Sequence, residues 1–289
     1  MKLIEFIKRS QSLSYVLYWV KDLLFSPKVN LAHYSVDEYW DSRIQDVLSC
    51  PDLEKIPKIP DAGEVKEGYQ IMHNGIKIFL GSYYGYGNAL AGMHQMLKLS
   101  KGVHEPQEEF AFQEIIKKMP EGAIMLELGS YWSFYSMWFN KAVTRAKNYM
   151  IEPDARCLYS GKRNFRINKL KGSFSQFFIG EKSGNGFITV DDFLDRENIS
   201  KLNILHADIQ GYELEMLMGV RRGLVNKRID YLFISTHSND LHSKCIDFLN
   251  DIGYSIICEA NLDEAYSYDG VIVASWMTSL SIEISKKTV

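Results

Sequence analysis

The 289-residue sequence lacks a cysteine framework, an excess of basic residues and a long apolar run. Its cysteines show no CxxC or other metal-ligand spacing, and the chain is far too long to be a disulfide scaffold. We therefore expect all four to be reduced thiols in the core: Cys50, Cys157, Cys245 and Cys258.

The charge balance argues against one class of partner. The 33 Lys and Arg residues are offset by 36 Asp and Glu residues, which gives a formal net charge of −3. Binding to a phosphate backbone normally needs a concentrated basic surface. The sequence therefore predicts no nucleic-acid partner.

The N-terminal stretch is apolar but interrupted by charges. Its longest uncharged run, Ser10 to Val20, is shorter than the ~20 residues that a membrane helix needs, and no small-residue cleavage site follows. We expect a cytoplasmic protein without a transmembrane segment. The amphipathic stretch leaves open a peripheral membrane contact or a partner subunit, including a second copy of the chain.

Residues 1–104 are predicted to form an accessory segment that serves acceptor binding or oligomerisation. Apolar residues at helical spacing predict one or two helices within 1–25 and another over 35–50. The Asn74–Gly75 pair between two β-rich runs predicts a hairpin.

Residues 105–289 are predicted to form the second domain, in which strands alternate with helical runs. This alternation is typical of βαβ units and predicts a parallel, doubly wound α/β sheet. The last two strands are close enough in sequence to be an antiparallel pair. The predicted strands are 123–129, 147–153, 174–180, 202–209, 230–237, 254–260 and 269–276.

Acidic residues end the first two predicted strands. In a doubly wound sheet, ligands bind beyond the carboxyl ends of the strands. Glu152 at the end of the second strand suits hydrogen bonding to ribose hydroxyls, whereas Glu127 beneath the first loop would repel a pyrophosphate. A carboxylate there suits a cationic cofactor with an amino group, which favours S-adenosylmethionine (SAM) over NAD. The alternative is that both are surface glutamates that happen to follow strands.

Four stretches in this order resemble the FkbM family of SAM-dependent methyltransferases: LELGSYWSFYSMWF, YMIEPD, ITVDDFLDRENISKLNILHADIQGYELEMLMGV and DGVIVAS. The most specific piece, HADIQGYELEMLMG, matches the family signature at Asp208, Gly211 and Glu213. It departs from the signature at His206, where the family has lysine, and at Gln210, where it has glutamate.

The first loop resembles the family pattern in part. Glu127 and Gly129 match it, while Tyr131 replaces an asparagine and Ser133 replaces the last glycine. The resemblance implies a Rossmann-like class I methyltransferase sheet, mostly parallel with an antiparallel last strand, and an activity on hydroxyls of sugars or natural products. The predicted cofactor-binding residues are Glu127, Gly129, Ser130, Tyr131, Ser133, Glu152 and Asp208.

An acceptor hydroxyl must lose its proton to a general base or bind a metal that acidifies it. His237, after the fifth strand, is the candidate base, and Asp208 is expected to orient it or the acceptor hydroxyl. Asp208, His237 and Asp240 are alternatively predicted to hold a divalent ion such as Mg or Mn. His206 is expected in the core and His242 at the surface.

The sequence therefore predicts a SAM-dependent O-methyltransferase that acts on a sugar hydroxyl of a small-molecule or glycan acceptor. Surface-glycan or natural-product biosynthesis is the expected setting. Two alternatives stay open: a non-catalytic SAM-binding or scaffold protein, and an NAD or nucleotide-sugar oxidoreductase on a similar sheet.

Overall fold

The computed structural model describes residues 36–83, 88–277 and 280–288. The helices predicted within 1–25 lie outside these ranges. The first part contains a small three-stranded sheet and two helices, with a 3₁₀ turn at Pro51–Lys55 and another at Leu80–Ser82. In chain order its elements are α1 (Glu38–Ser49), β1 (Val65–Lys66), β2 (Tyr69–Ile71), β3 (Lys77–Phe79) and α2 (Asn88–Leu99).

Helix α1 packs tightly on α2. It begins after Asp37, whose side chain accepts the Trp40 N–H at 3.1 Å, as a helix cap does. A Cβ on Gly92 of α2 would lie 2.1 Å from the buried Trp40 ring, so only glycine permits this approach. The predicted hairpin is present: β2 and β3 pair antiparallel across a turn in which Gly75 has a φ of +81°.

The second part contains a seven-stranded sheet with helices on both faces. The elements are α3 (Pro106–Ile116), β4 (Ile124–Leu128), α4 (Phe134–Ala142), β5 (Lys147–Ile151), α5 (Ala155–Ile167), β6 (Ser173–Ser175), β7 (Phe178–Ile179), β8 (Phe187–Ile188), α6 (Val190–Arg196), β9 (Leu202–Ala207), α7 (Glu213–Gly219), α8 (Arg221–Val225), β10 (Ile229–Thr236), α9 (Asn239–Asp251), β11 (Ser255–Ala260) and β12 (Gly270–Ser275). The strand order of the sheet is β11-β12-β10-β9-β4-β5-β6, and β12 runs antiparallel to β10 and β11 while the other pairs are parallel. This confirms the predicted Rossmann-like, class I methyltransferase sheet with an antiparallel last strand.

The central strands are buried on both faces, which explains why most of their residues are apolar. Every residue of β9 and β10 is buried. One apolar cluster joins Trp40 and Met72 of the N-terminal segment to Phe112 and Phe233, and a second cluster around Phe193 covers the opposite face. The four cysteines are free and buried, as predicted. The division of the chain at residues 104 and 105 stays a prediction.

The predicted strand over 174–180 is divided in two. Its start, β6, pairs with β5, while β7 leaves the main sheet and pairs with β8. The sheet therefore ends early at this edge, and the aromatic residues that follow β6 become available to a neighbouring cavity. Among the described residues, no helix is long and apolar enough to cross a membrane.

Candidate functional site

A cavity of about 340 Å³ lies beyond the carboxyl ends of β4, β5 and β9. This is where a doubly wound sheet binds its ligands. Of the predicted cofactor residues, Gly129, Tyr131, Glu152 and Asp208 line the cavity. The remaining lining residues are Ile151, Pro153, Phe177, Phe178, Ile179, Phe187, Ile209, Gln210 and Tyr212.

The loop after β4 has an unusual backbone conformation. Gly129, Tyr131 and Ser133 have φ angles of +69°, +41° and +63°, in the left-handed region that costs non-glycine residues free energy. Ser130 and Ser133 are buried and do not line the cavity, and within the described residues their hydroxyls have no hydrogen-bond partner. Their side chains therefore point into the core and not into the cavity.

Glu152 connects the first loop to the second. Its two carboxylate oxygens accept the Tyr131 N–H at 3.0 Å and the Asp154 N–H at 2.8 Å. Burial raises the pKa of Glu152 to about 7, against these two hydrogen bonds, which lower it. The side chain therefore fixes two loops while lining the cavity.

Glu127 lies deeper than the cavity wall. It is 4% exposed, and its Oε2 accepts the Ser136 N–H of α4 at 3.1 Å. Burial raises its pKa to about 7, while the charge of His206 acts in the opposite direction. Its carboxyl thus faces the N-terminus of α4, where a negative charge is stabilised.

The aromatic wall of the cavity was missed in the sequence. Phe178 stacks on Phe187 with ring centroids 5.2 Å apart, and Tyr212 lies on the opposite loop. Phe178 and Tyr212 are 53% and 51% exposed, which is unusual for large aromatic side chains. The available signal was the Phe177–Phe178 pair immediately after a strand.

A cluster of ionisable groups adjoins the cavity. Within it, Nε2 of His237 lies 3.2 Å from Asp208 Oδ1 and 3.4 Å from Asp269 Oδ1, and its Nδ1 lies 3.1 Å from Glu213 Oε1. These are ion-pair distances without aligned hydrogen-bond geometry. Asp269, which precedes β12, was not predicted, since nothing in its own sequence neighbourhood marks it.

The carboxylates determine the charge of His237. Burial opposes a proton on the ring, but Asp208, Glu213 and Asp269 outweigh it and raise the pKa of His237 to about 10. Burial and the charge of Asp208 raise the pKa of Asp269 to about 7. His237 is therefore an imidazolium at neutral pH, and it lacks the free ring nitrogen that the predicted base requires.

Glu213 anchors the loop after β9. It is fully buried and accepts the N–H groups of Ile209 at 3.2 Å and Gly211 at 3.1 Å. Asp208 Oδ1 accepts the Gln210 Nε2 at 2.8 Å. The signature segment therefore holds Asp208 between the cavity and His237.

The predicted metal trio does not assemble. Asp240 lies in the first turn of α9, is 75% exposed and pairs with Lys244 at 2.6 Å. In the described part of the chain, no group of three or more His, Cys, Asp or Glu side chains is arranged to hold a metal ion. As placed, Asp208, His237 and Asp240 do not fit a resident divalent ion.

The other two histidines considered as candidate bases, His206 and His242, are both held by buried contacts. His206 is buried as expected, with its Nε2 2.6 Å from Glu108 Oε1. The expectation of a surface His242 is wrong: it is 3% exposed and lies 2.8 Å from Thr236 Oγ1 and 3.1 Å from Glu259 Oε2. The helical face that carries His242 is turned towards the sheet.

Comparison with known proteins finds one family model that matches part of the chain. The model of the methyltransferase FkbM domain matches residues 187–256, which include Asp208, Glu213 and His237. The match confirms the resemblance and supports a SAM-dependent methyltransferase. No curated protein matches the chain.

Several solved methyltransferase structures are similar in fold. Precorrin-6y C5,15-methyltransferase from Geobacter metallireducens is 13% identical, with a TM-score of 0.43 over 58% of this chain and 87% of that one. M. capricolum TrmK in complex with S-adenosyl-homocysteine is 12% identical, with a TM-score of 0.42 over 61% of this chain and 71% of that one. The ribosomal protein L11 methylase from Lactobacillus delbrueckii is 10% identical, with a TM-score of 0.43 over 61% and 80%. Similarities this distant say nothing about the acceptor.

Proposed function

We propose that this protein is a cytoplasmic SAM-dependent methyltransferase that methylates a sugar hydroxyl in surface-glycan or natural-product biosynthesis. One observation carries the proposal: the cavity beyond β4, β5 and β9 is lined by Gly129, Glu152 and Asp208, in a chain that contains a matched methyltransferase segment. Residues 1–104 are proposed to contribute to the binding site for the acceptor.

The lining residues fit SAM in their chemistry. Glu152 would hold the ribose hydroxyls, and the exposed rings of Phe178 and Tyr212 would cover the flat base. Glu127 adds negative charge behind the loop, which suits a cationic ligand. When bound, SAM supplies an electrophilic methyl group on a sulfonium, so the protein must mainly align the acceptor with it.

Asp208 and His237 are the proposed residues at the acceptor end. Because His237 carries a proton at neutral pH, the group that takes the hydroxyl proton is a carboxylate, Asp208 or Asp269. The imidazolium between them holds both in place and reduces their mutual repulsion. We therefore assign His237 a positioning role and Asp208 the contact with the acceptor.

Calorimetric titration of the purified full chain with SAM, S-adenosyl-homocysteine (SAH) and NAD tests the cofactor. We expect SAM and SAH to bind and NAD not to bind. Glu152→Gln should weaken SAH binding, whereas Glu181→Gln, at an exposed position outside the cavity, should not. Binding of NAD without SAM would instead favour the oxidoreductase alternative.

Mass spectrometry of glycans and metabolites from a deletion strain tests the reaction. We expect one product to lack the mass of a methyl group and the wild-type gene to restore it. Complementation with Asp208→Asn should fail although the protein accumulates normally. Full restoration by Asp208→Asn and by His237→Ala would point to the non-catalytic SAM-binding or scaffold protein.

A further inference from the structure

Arg43 of α1 contacts two aromatic rings. Its guanidinium carbon is 5.3 Å from the centroid of Trp40 and 5.4 Å from that of Tyr268. The Tyr268 ring also stacks on Tyr39 of α1, with ring centroids 4.9 Å apart. Contacts with two aromatic rings restrict the orientation of the guanidinium.

This arginine lacks a carboxylate partner. In the ranges that the structure describes, Arg43 makes no ion pair, and its Nε is buried without a hydrogen-bond partner. A buried polar group left without a partner destabilises the folded chain, and a charged group does so more strongly. The arrangement therefore favours a ligand that supplies the missing acceptor atoms.

The nearby carboxylates already have other cations. Glu105 lies 3.1 Å from His104 and accepts the hydroxyl of Tyr135 at 2.9 Å, and Asp269 pairs with His237. Burial opposes ionisation of Glu105, but the charges of His104 and Arg43 outweigh it and lower the pKa of Glu105 to about 2. Burial raises the pKa of Asp269 to about 7, while the charges of His237 and Arg43 act in the opposite direction, so the guanidinium lies near both carboxyls. Within the described part of the chain, Arg43 therefore feels both carboxylates without forming a direct ion pair with either.

The position of Arg43 relates it to the acceptor. Tyr268 is followed directly by Asp269, Asp269 lies 3.4 Å from His237, and His237 lies 3.2 Å from Asp208 on the cavity wall. Arg43 is thus connected to the wall of the cofactor cavity through Tyr268 and the ionisable cluster. A sugar that presents a hydroxyl to Asp208 would extend towards this residue.

We propose that Arg43 determines acceptor specificity and that the methylated sugar carries an anionic group, a carboxylate or a phosphate, which Arg43 binds. The proposal rests on the proposed function. A planar guanidinium matches either group with two parallel hydrogen bonds, which a lysine cannot reproduce. The charge of His237 offsets the repulsion that Asp208 and Asp269 would exert on the anion.

The test uses the SAH-loaded full chain and three probes: glucuronate, glucose 1-phosphate and glucose. Saturation-transfer NMR and calorimetry should detect glucuronate or glucose 1-phosphate but not glucose, and the anion that binds identifies the group. Arg43→Gln should weaken that binding by about tenfold or more and Arg43→Lys by less. Gln45→Ala, on the exposed face of the same helix, should leave it unchanged.

SAH affinity is measured in every variant, because it separates a failure of the proposed function from a failure of the proposed role of Arg43. Failure of the wild-type chain to bind SAH would overturn the proposed function itself. With SAH bound, three results would each overturn the role of Arg43: no binding of either anion, equal binding of glucose, or full anion binding by Arg43→Gln. Unchanged SAH affinity in Arg43→Gln shows that the variant is folded.

Discussion

The backbone of Gly129 touches the backbone carbonyl of Asp208. A Cβ at position 129 would lie 1.7 Å from the Asp208 oxygen, far inside van der Waals contact. The Asp208 N–H in turn donates to the Leu128 carbonyl at 3.1 Å. The loops after β4 and β9 are therefore held together at the wall of the cavity, and a side chain at position 129 would force them apart.

Gly129→Ala should abolish SAH binding and lower the free energy of unfolding severely. The residue carries two separate constraints, a φ of +69° and the contact with Asp208. Urea unfolding monitored by circular dichroism and calorimetry with SAH would measure both effects.

Gly122→Ala is the matched control. Gly122 has a similar φ of +75° but nothing within 4 Å of an added Cβ. Its substitution should cost only the left-handed strain, about 1–2 kcal/mol, and spare SAH binding. Equal losses in the two variants would show that the contact with Asp208 is unimportant.

Ser133→Gly should raise the free energy of unfolding by about 1 kcal/mol, because glycine relieves the strain of a φ of +63°. The Ser133 side chain does not cap α4, so the substitution removes no hydrogen bond. Ser133→Ala keeps the strain and removes only the hydroxyl. If the alanine variant gained as much stability as the glycine variant, the hydroxyl and not the backbone would be the source.

Gly161→Ala should destabilise the chain, since the new Cβ would lie 2.4 Å from Ser133 Oγ. Alanine otherwise favours a helix over glycine by about 1 kcal/mol. In the Ser133→Gly background the same substitution should therefore cost less or become stabilising. A double-mutant cycle by urea unfolding measures the coupling, and strictly additive effects would contradict it.

The sheet was predictable because its strands are buried on both faces. Runs such as Leu202–Ala207 are mostly apolar, and few other structures suit short apolar runs separated by helical patterns. The positions directly after strands were the basis for predicting Gly129, Glu152 and Asp208 as cofactor-binding residues. Helix α2 was not predicted, since the tyrosines and glycines before Asn88 suggest a loop.

The residues proposed to bind the acceptor could not be predicted from the sequence in the same way. Arg43 and Asp269 are 226 positions apart, and their proximity depends on α1 packing on the β11–β12 loop. The protonated state of His237 likewise depends on three carboxylates from different loops. Neither the proximity of Arg43 to Asp269 nor the protonation of His237 can be inferred from the order of residues along the chain.

Glu127→Gln should become more stable than the wild type as pH rises. The pKa of Glu127 is raised to about 7 in the folded chain, above its unfolded value, so the wild type loses stability from about pH 4.5 to about pH 7. Unfolding at about pH 5 and about pH 8 should reveal a difference of a few kcal/mol. SAH binding, by contrast, should weaken in the variant at about pH 8, where the wild-type carboxyl is ionised, and should change little at about pH 5, where it is protonated. A pH-independent stability difference would contradict a buried, titrating carboxyl.

His237→Gln should destabilise the chain most at low pH. The folded pKa of about 10 lies above the ordinary value of 6.5, so the stabilisation is complete below about pH 6.5 and is lost as pH rises to about 10. His242→Gln should show the reverse trend, because burial lowers the pKa of His242 and its stabilisation is lost as pH falls. NMR titration of the imidazole signals measures both pKa values directly. A His237 pKa at or below 6.5 would leave the ring neutral at pH 7 and restore it as the general base.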